Sequence, residues 1–225
     1  MSAPGLAIFD LDYTLTKRGT WGRFVVRAVK YRPYIWLPLL CAAGFAQWRY
    51  KQGAIERVRV KQAMMRWAIK GWSQEKVEEL GVAFAKEEVA TGLRSGAIRA
   101  LEEHRKRGDQ IIIASAAVNV IVAPIANLLK VDHWVATDMA FSGGVLSPEF
   151  ATPNCYGAEK LRRVEVLLEQ NPTLKQKNTV ITMYSDSYSD LDIMRFAHVG
   201  VAVNPDKKLR VLSAEHNFEI VDWMS

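Results

Sequence analysis

Cysteine is scarce: the 225-residue chain has two, Cys41 and Cys155. That excludes a disulfide framework, and two residues so far apart offer no metal-type spacing, so a reducing compartment is expected. The four histidines show no ligand spacing either, and packing or surface roles are expected for them. No basic, apolar and small-residue leader precedes the first apolar run at Leu6, which makes the reading cytoplasmic. Long hydrophobic runs are missing. The longest, Pro33 to Ala46, contains two prolines and falls short of the about 20 residues that a spanning helix needs. Internal repeats and low-complexity tracts are absent as well. Acidic residues are nearly lacking in one region. Between Lys17 and Lys70 stand 13 Lys or Arg against a single Glu56, whereas the rest of the chain has 17 basic and 23 acidic residues. The net charge of +6 hides this asymmetry, which marks a boundary and an anionic partner for 17–70.

What is present is ordinary globular material, 49% hydrophobic and 24% charged, enough for a sizeable core in one domain plus a smaller insertion. Four apolar runs read as core strands: Leu6–Phe9, Ile111–Ala114, Val180–Tyr184 and Val199–Val203. Helical patterns separate them, notably Ala97–Arg107 and Leu161–Glu169, so the expected class is α/β with a Rossmann-like, doubly wound parallel sheet. Residues 17–90 break the alternation with helices alone, at Trp21–Lys30, Ala54–Lys70 and Gln74–Val89, the last with Ser73 as N-cap. They are expected to form an all-helical cap inserted into a core made of 1–16 and 91–225. Phe141-Ser142-Gly143-Gly144-Val145 has hairpin-turn chemistry and predicts a small β flap.

Each apolar run ends in polar residues. Asp10 and Asp12 follow the first, Ser115 the second, Ser185, Asp186 and Asp190 the third, Asn204 and Asp206 the fourth. In open α/β sheets the ligand crevice lies outside the carboxyl ends of the strands. Four such ends delivering polar groups to one edge exceed what loop chemistry requires. Two neighbouring carboxylates also repel each other unless a cation or a shared proton offsets them. Blander readings exist for each residue. Asp10 and Asp12 would suit a turn, Asp186 and Asp190 the start of a helix at Leu191–Ala197, and Lys160 a solvated helix face beside Arg162 and Arg163.

The ordered set resembles the haloacid dehalogenase-like phosphohydrolases, in the subgroup of phosphoserine phosphatase and phosphatidylglycerophosphatase C-like enzymes. Asp10-x-Asp12-x-Thr14, Ile113-Ala114-Ser115, Lys160 and Ser185-Asp186-Ser187-Tyr188-Ser189-Asp190 match its four motifs in order over nearly the whole chain. The resemblance implies a phosphatase that forms an aspartyl-phosphate on Asp10. Asp12 would act as general acid and then base, and Thr14 would hold Asp12. Ser115, Ala116 and Lys160 would bind the phosphate, and Asp190 would fix Lys160 or a metal-bound water from behind. Mg²⁺ would sit on Asp10, the Asp12 backbone carbonyl and Asp186.

Departures from the family pattern concern the substrate. Lys17-Arg18-Gly19-Thr20 puts positive charge where phosphoserine phosphatases carry an acid for the substrate amine. Ser115-Ala116 replaces the family's Ser-Gly, and Ser189 replaces an asparagine. Trp21, Phe24, Val25, Ala28 and Val29 form one face of a helix whose other surface carries Arg23, Arg27 and Lys30. With the aromatic and apolar stretch that follows, this suits a membrane interface, or equally the core of a soluble cap. Segment 33–48 is thus open to lipid, a partner or the cap's own core. The favoured substrate is a small or lipid-linked organic phosphate of the phosphatidylglycerophosphate type, with peripheral contact of 17–51 to the inner membrane face. The alternatives are a phosphoserine or other soluble-metabolite phosphatase, and a membrane-surface binding protein on an inactive scaffold. Nucleic acid is not expected as a partner.

Overall fold

The structure, a computed structural model, describes residues 4–223. β1 (Leu6–Phe9) leads through a tight turn at Leu11–Leu15 into four helices, α1 (Thr20–Val29), α2 (Pro33–Lys51), α3 (Arg57–Ile69) and α4 (Gln74–Glu87). After α5 (Ser95–Arg107) come β2 (Gln110–Val118), α6 (Asn119–Leu128) and β3 (His133–Thr137). A hairpin of β4 (Met139–Ser142) and β5 (Val145–Phe150) follows. The chain closes with α7 (Ala158–Gln170), β6 (Ile181–Ser185), α8 (Leu191–Phe196), β7 (Val199–Val203), α9 (Lys207–His216) and β8 (Glu219–Val221).

Six strands form one parallel sheet in the order β3-β2-β1-β6-β7-β8. β1 lies at its centre and is buried on both faces. Side chains alternate as a pleat demands. Ala7, Phe9, Ile111 and Ile113 join a core shared with α1–α6, while Leu6, Ile8, Ile112 and Ala114 pack against α7, α8 and α9. The chain leaves β1 towards β2 and β3, then returns to β6 on the other side, so the strand order reverses beside β1. That is where open α/β sheets bind ligands. This is the Rossmann-like architecture with a helical cap region that the sequence predicts.

Several boundaries differ. The run expected from Ile111 to Ala114 continues to Val118, with a register shift against β3 between Ala114 and Val118. Such an irregularity re-aims side chains at a sheet rim. The third predicted strand begins at Ile181, because Val180 is exposed. β3 and the three-residue β8 were not predicted, and neither was α6, whose apolar residues lack a helical period. The flap is present, with Gly143 and Gly144 both at positive φ in its two-residue turn.

α1 buries Trp21, Phe24, Val25, Ala28 and Val29, and Phe24 meets Phe84 of α4 edge-on at 5.8 Å. Its basic face pairs with acids, Arg23 with Glu88 and Arg27 with Glu87. Of the two readings the sequence left open for α1, its buried apolar face fits the core of the cap and not a membrane surface. α2 behaves otherwise. It is the helix the sequence left unassigned, and Tyr34, Leu37, Phe45 and Trp48 are exposed along one side. Among the described residues no helix is long and apolar enough to cross a membrane. α4 packs on α6 at Gly81, where a Cβ would stand 2.1 Å from the Val120 carbonyl oxygen.

Candidate active site

Asp10 extends β1 by donating its N–H to the Tyr184 carbonyl (3.0 Å), which sets its side chain at the sheet's carboxyl edge. The chain then turns sharply. Tyr13 takes a positive φ of 61°, unusual for a side chain of its size, and Arg94 Nε holds the Tyr13 carbonyl at 3.0 Å. The turn swings Asp12 towards the start of α1, where its Oδ1 accepts from the Thr20 N–H at 2.8 Å. The Thr14 hydroxyl donates to Asp186 Oδ1 at 3.4 Å, not to Asp12. This corrects the expected partner of Thr14.

Lys160 joins the motifs. Gly157, with φ 60° and ψ −133°, turns the chain into α7, and the first turn of that helix carries Lys160 into the sheet edge. There Lys160 Nζ donates to Asp10 Oδ1 at 2.8 Å and to Asp190 Oδ2 at 2.7 Å. Ser185 Oγ also donates to Asp190 Oδ2, at 2.7 Å. All three charged side chains are almost fully buried. Burial works against the Lys160 ammonium, but the two carboxylates outweigh it and hold its pKa above the ordinary lysine value. Burial raises the Asp10 pKa well above the usual carboxylate range, with Lys160 partly opposing. Burial, then the Asp190 charge, pushes Asp186 up to about 7. The structure thus gathers Asp10, Thr14, Lys160, Asp186 and Asp190. Asp206 instead caps α9, and Asn204 binds Asp222 and the Trp223 N–H.

These carboxylates suit a hard dication. Two have proton affinities raised by burial and like charge, and Asp190 Oδ1 is buried without a partner. Among the described residues no three Asp, Glu, His or Cys side chains form a metal cage on their own. Mg²⁺ tolerates this, because it usually keeps several waters and takes only one or two carboxylates.

Ser115 is buried in the irregular stretch of β2, where its Oγ accepts from the Ala117 N–H at 3.0 Å. The Ala116 carbonyl accepts from the cap, at 2.6 Å from Lys61 Nζ of α3. Lys61 also donates to Asn154 Oδ1 at 2.8 Å, and Thr137 Oγ1 lies 3.0 Å from the same Ala116 oxygen. Burial pushes the Lys61 pKa down to about 8, with the Asp12 charge pulling the other way. Sequence reasoning missed Lys61 and Asn154. The charge asymmetry marked the region, but nothing in helical spacing separates Lys61 from its neighbours.

Asp12 and Lys61 open onto a cavity of about 900 Å³ between α1, α2, α3 and α4. Trp21, Val26, Val60, Met64 and Phe84 supply apolar walls, and Arg18, Arg23, Arg27, Lys30, Arg57 and Lys61 supply positive charge. Arg23 and Arg27 are neutralised by glutamates, but among the described residues Arg18, Lys30, Arg57 and Lys61 have no carboxylate partner.

Fold and site together define a parallel α/β sheet with a helical cap region and acidic strand ends. The chain belongs to the haloacid dehalogenase-like hydrolases, whose sequence model matches residues 7–195. It is similar to a putative hydrolase of Mycobacterium leprae, 27% identical over 96% of this chain and 72% of that protein. A phosphoserine phosphatase of Mycobacterium tuberculosis is also 27% identical, over 96% of this chain and 70% of its own length. Among solved structures, a protein of unknown function from Bordetella pertussis superposes with a TM-score of 0.85 at 20% identity, covering 99% of this chain and all of that one. A probable phosphoserine phosphatase from Vibrio cholerae has a TM-score of 0.69 at 15% identity, over 99% of this chain and 62% of its own. The chain is a phosphatase of this family.

Proposed function

We propose that this phosphatase is a Mg²⁺-dependent phosphomonoesterase acting on an anionic, amphiphilic organic phosphate, with a lipid-linked phosphate favoured. The observation that carries this reading is the buried Asp10–Lys160–Asp190 array together with the cationic and apolar cavity onto which the neighbouring Asp12 opens.

Lys160 holds Asp10 Oδ1, which leaves the other carboxylate oxygen to attack phosphorus. As the Asp10–phosphorus bond forms, the ester P–O bond breaks and the leaving oxygen takes a proton from Asp12. Asp12 then removes a proton from water, which attacks the aspartyl-phosphate, releases inorganic phosphate and restores Asp10. Lys160, Ser115 and the Ala116 N–H bind phosphate oxygens. Asp190 fixes the Lys160 ammonium, and Thr14 steadies Asp186. Asp10, Asp186 and the Asp12 backbone carbonyl would hold Mg²⁺, which when bound offsets the repulsion between two anions. Residues 17–90 form the specificity cap on a core of 1–16 and 91–225.

Phosphoserine is the competing substrate, on the strength of the mycobacterial relative. Its ammonium would enter a cavity whose wall carries Arg18, Lys30, Arg57 and Lys61, none of them in a direct ion pair among the described residues. A phosphate-release screen decides between them. A short-chain lipid phosphate should exceed phosphoserine in kcat/KM by about tenfold or more, the size of one good polar mismatch, and EDTA should abolish both activities. Equal or greater activity on phosphoserine rejects the lipid reading.

The exposed α2 stripe supports contact with the membrane that would carry such a substrate. It lies within the stretch 17–70, where Glu56 is the single acidic residue, and Tyr34 and Trp48 stand near its ends. The protein should co-sediment with anionic vesicles at low salt, and replacing Leu37 and Trp48 by glutamate should cut the bound fraction by about tenfold. Undiminished binding of that variant assigns the contact elsewhere.

A further inference from the structure

Lys61 belongs to the cap by sequence and to the phosphate site by contact. Its ammonium reaches across from α3 to two acceptors, the Ala116 carbonyl at 2.6 Å and Asn154 Oδ1 at 2.8 Å. The first belongs to the residue after Ser115. The second lies on the segment that leads through Gly157 into the Lys160 helix. Thr137 ties both acceptors together, with Oγ1 at 3.0 Å from the Ala116 oxygen and 3.2 Å from Asn154 Oδ1. The same Oγ1 accepts from the Cys155 N–H at 3.0 Å. Lys61 shares the cavity wall with Asp12, whose charge acts on it from a distance, and among the described residues no carboxylate forms a direct ion pair with it. A cation therefore already fills the two acceptors that the structure offers beside Ser115. An ammonium ester entering beside Ser115 would meet the Lys61 charge there, with Arg18, Arg57 and Lys30 on the same cavity wall. An anionic leaving group meets the opposite situation, because a lysine ammonium has three donors and Lys61 commits two.

We propose that Lys61 is a specificity-determining residue, an internal cation that excludes ammonium-bearing phosphate esters and favours those whose alcohol carries negative charge. The inference rests on the phosphomonoesterase reading above and names what that site selects. Exclusion by an occupied acceptor and a like charge is discrimination by repulsion, separate from any gain in attraction.

The test compares three small esters with Mg²⁺ present: 3-phosphoglycerate, glycerol 3-phosphate and O-phosphoethanolamine, whose alcohols are anionic, neutral and cationic. kcat/KM is measured for the wild type and for K61M, K61Q and K61R, with thermal melts to confirm folding. The glycerol 3-phosphate value divides out any general loss. The ratio of 3-phosphoglycerate to O-phosphoethanolamine should fall by about tenfold or more in both K61M and K61Q, the scale expected for one buried charge contact. K61R should keep the wild-type ratio. A merely structural role would lower all three esters together and leave the ratio within about twofold, and that result overturns the proposal. A wild type inert on these esters and on p-nitrophenyl phosphate would overturn the phosphomonoesterase reading with it. An active wild type with unchanged variant ratios overturns the Lys61 assignment alone.

Discussion

Asp10→Asn should lower kcat by at least about 10⁴-fold, close to 5.4 kcal/mol of barrier at 1.36 kcal/mol per decade. The amide keeps the shape of the carboxylate and can still accept from Lys160, whose ammonium stands 2.8 Å from Asp10 Oδ1. It lacks the negative charge and electron density that phosphorus requires. Folding should survive, so the melting curve separates lost chemistry from lost structure. Acid-quenched wild-type enzyme should carry a labile phosphoryl group that the variant lacks. A variant retaining about one-tenth of wild-type turnover would remove Asp10 from the mechanism.

Lys160→Met should be as damaging to activity and far more damaging to the fold. Removing the cation leaves Asp10 and Asp190 buried and facing each other. Breaking a buried ion pair from one side typically costs about 3–5 kcal/mol. The deficit should depend on pH, and its sign follows from Asp10. Burial already raises the Asp10 pKa, and the strongest force opposing that rise is Lys160. Without the lysine, the folded-state pKa stands still further above the unfolded value of about 3.9. The unfolded chain then binds fewer protons than the native one in the interval between, so stability falls as pH rises through it. Urea titrations of the metal-free variant should show a smaller deficit at pH 5 than at pH 8. In the wild type, Lys160 has a raised pKa, and its contribution is lost only on the alkaline side of the ordinary lysine range. A deficit that shrinks from pH 5 to pH 8 would contradict the buried array.

The parts of this site that were legible in the chain are those where polar residues interrupt apolar runs. Asp10 after Phe9, Ser115 after Ala114 and Asp186 after Ser185 stand out because each interrupts or ends an apolar run, although β2 continues past the buried Ser115 to Val118. Lys160 was legible only through its order among the motifs. The family resemblance gave Thr14 to Asp12, but the Tyr13 turn, at positive φ, aims Asp12 at the start of α1, and Thr14 meets Asp186 instead. α2 escaped notice because it is apolar nearly all round, so it carries no period, and Pro33 and Pro38 argue against a helix. Pro33 sits at the helix start, where its missing N–H costs nothing. Lys61 was invisible for another reason: a lysine on a helix is unremarkable until the fold shows where its far end rests.

The contact at Gly81 limits how such enzymes could be recombined. No side chain larger than hydrogen fits between α4 and the Val120 carbonyl, so the two backbones are fitted to each other. A chimera cut at residues 16 and 91 would carry α4 away with its donor. The recipient's α6 would then be offered a foreign helix at the contact where the two backbones touch. A shorter cassette with its seam near Ser73, where the chain hydrogen-bonds to the flap through Gly144, spares that contact but needs a recipient α4 that can meet Phe24, Arg23 and Arg27.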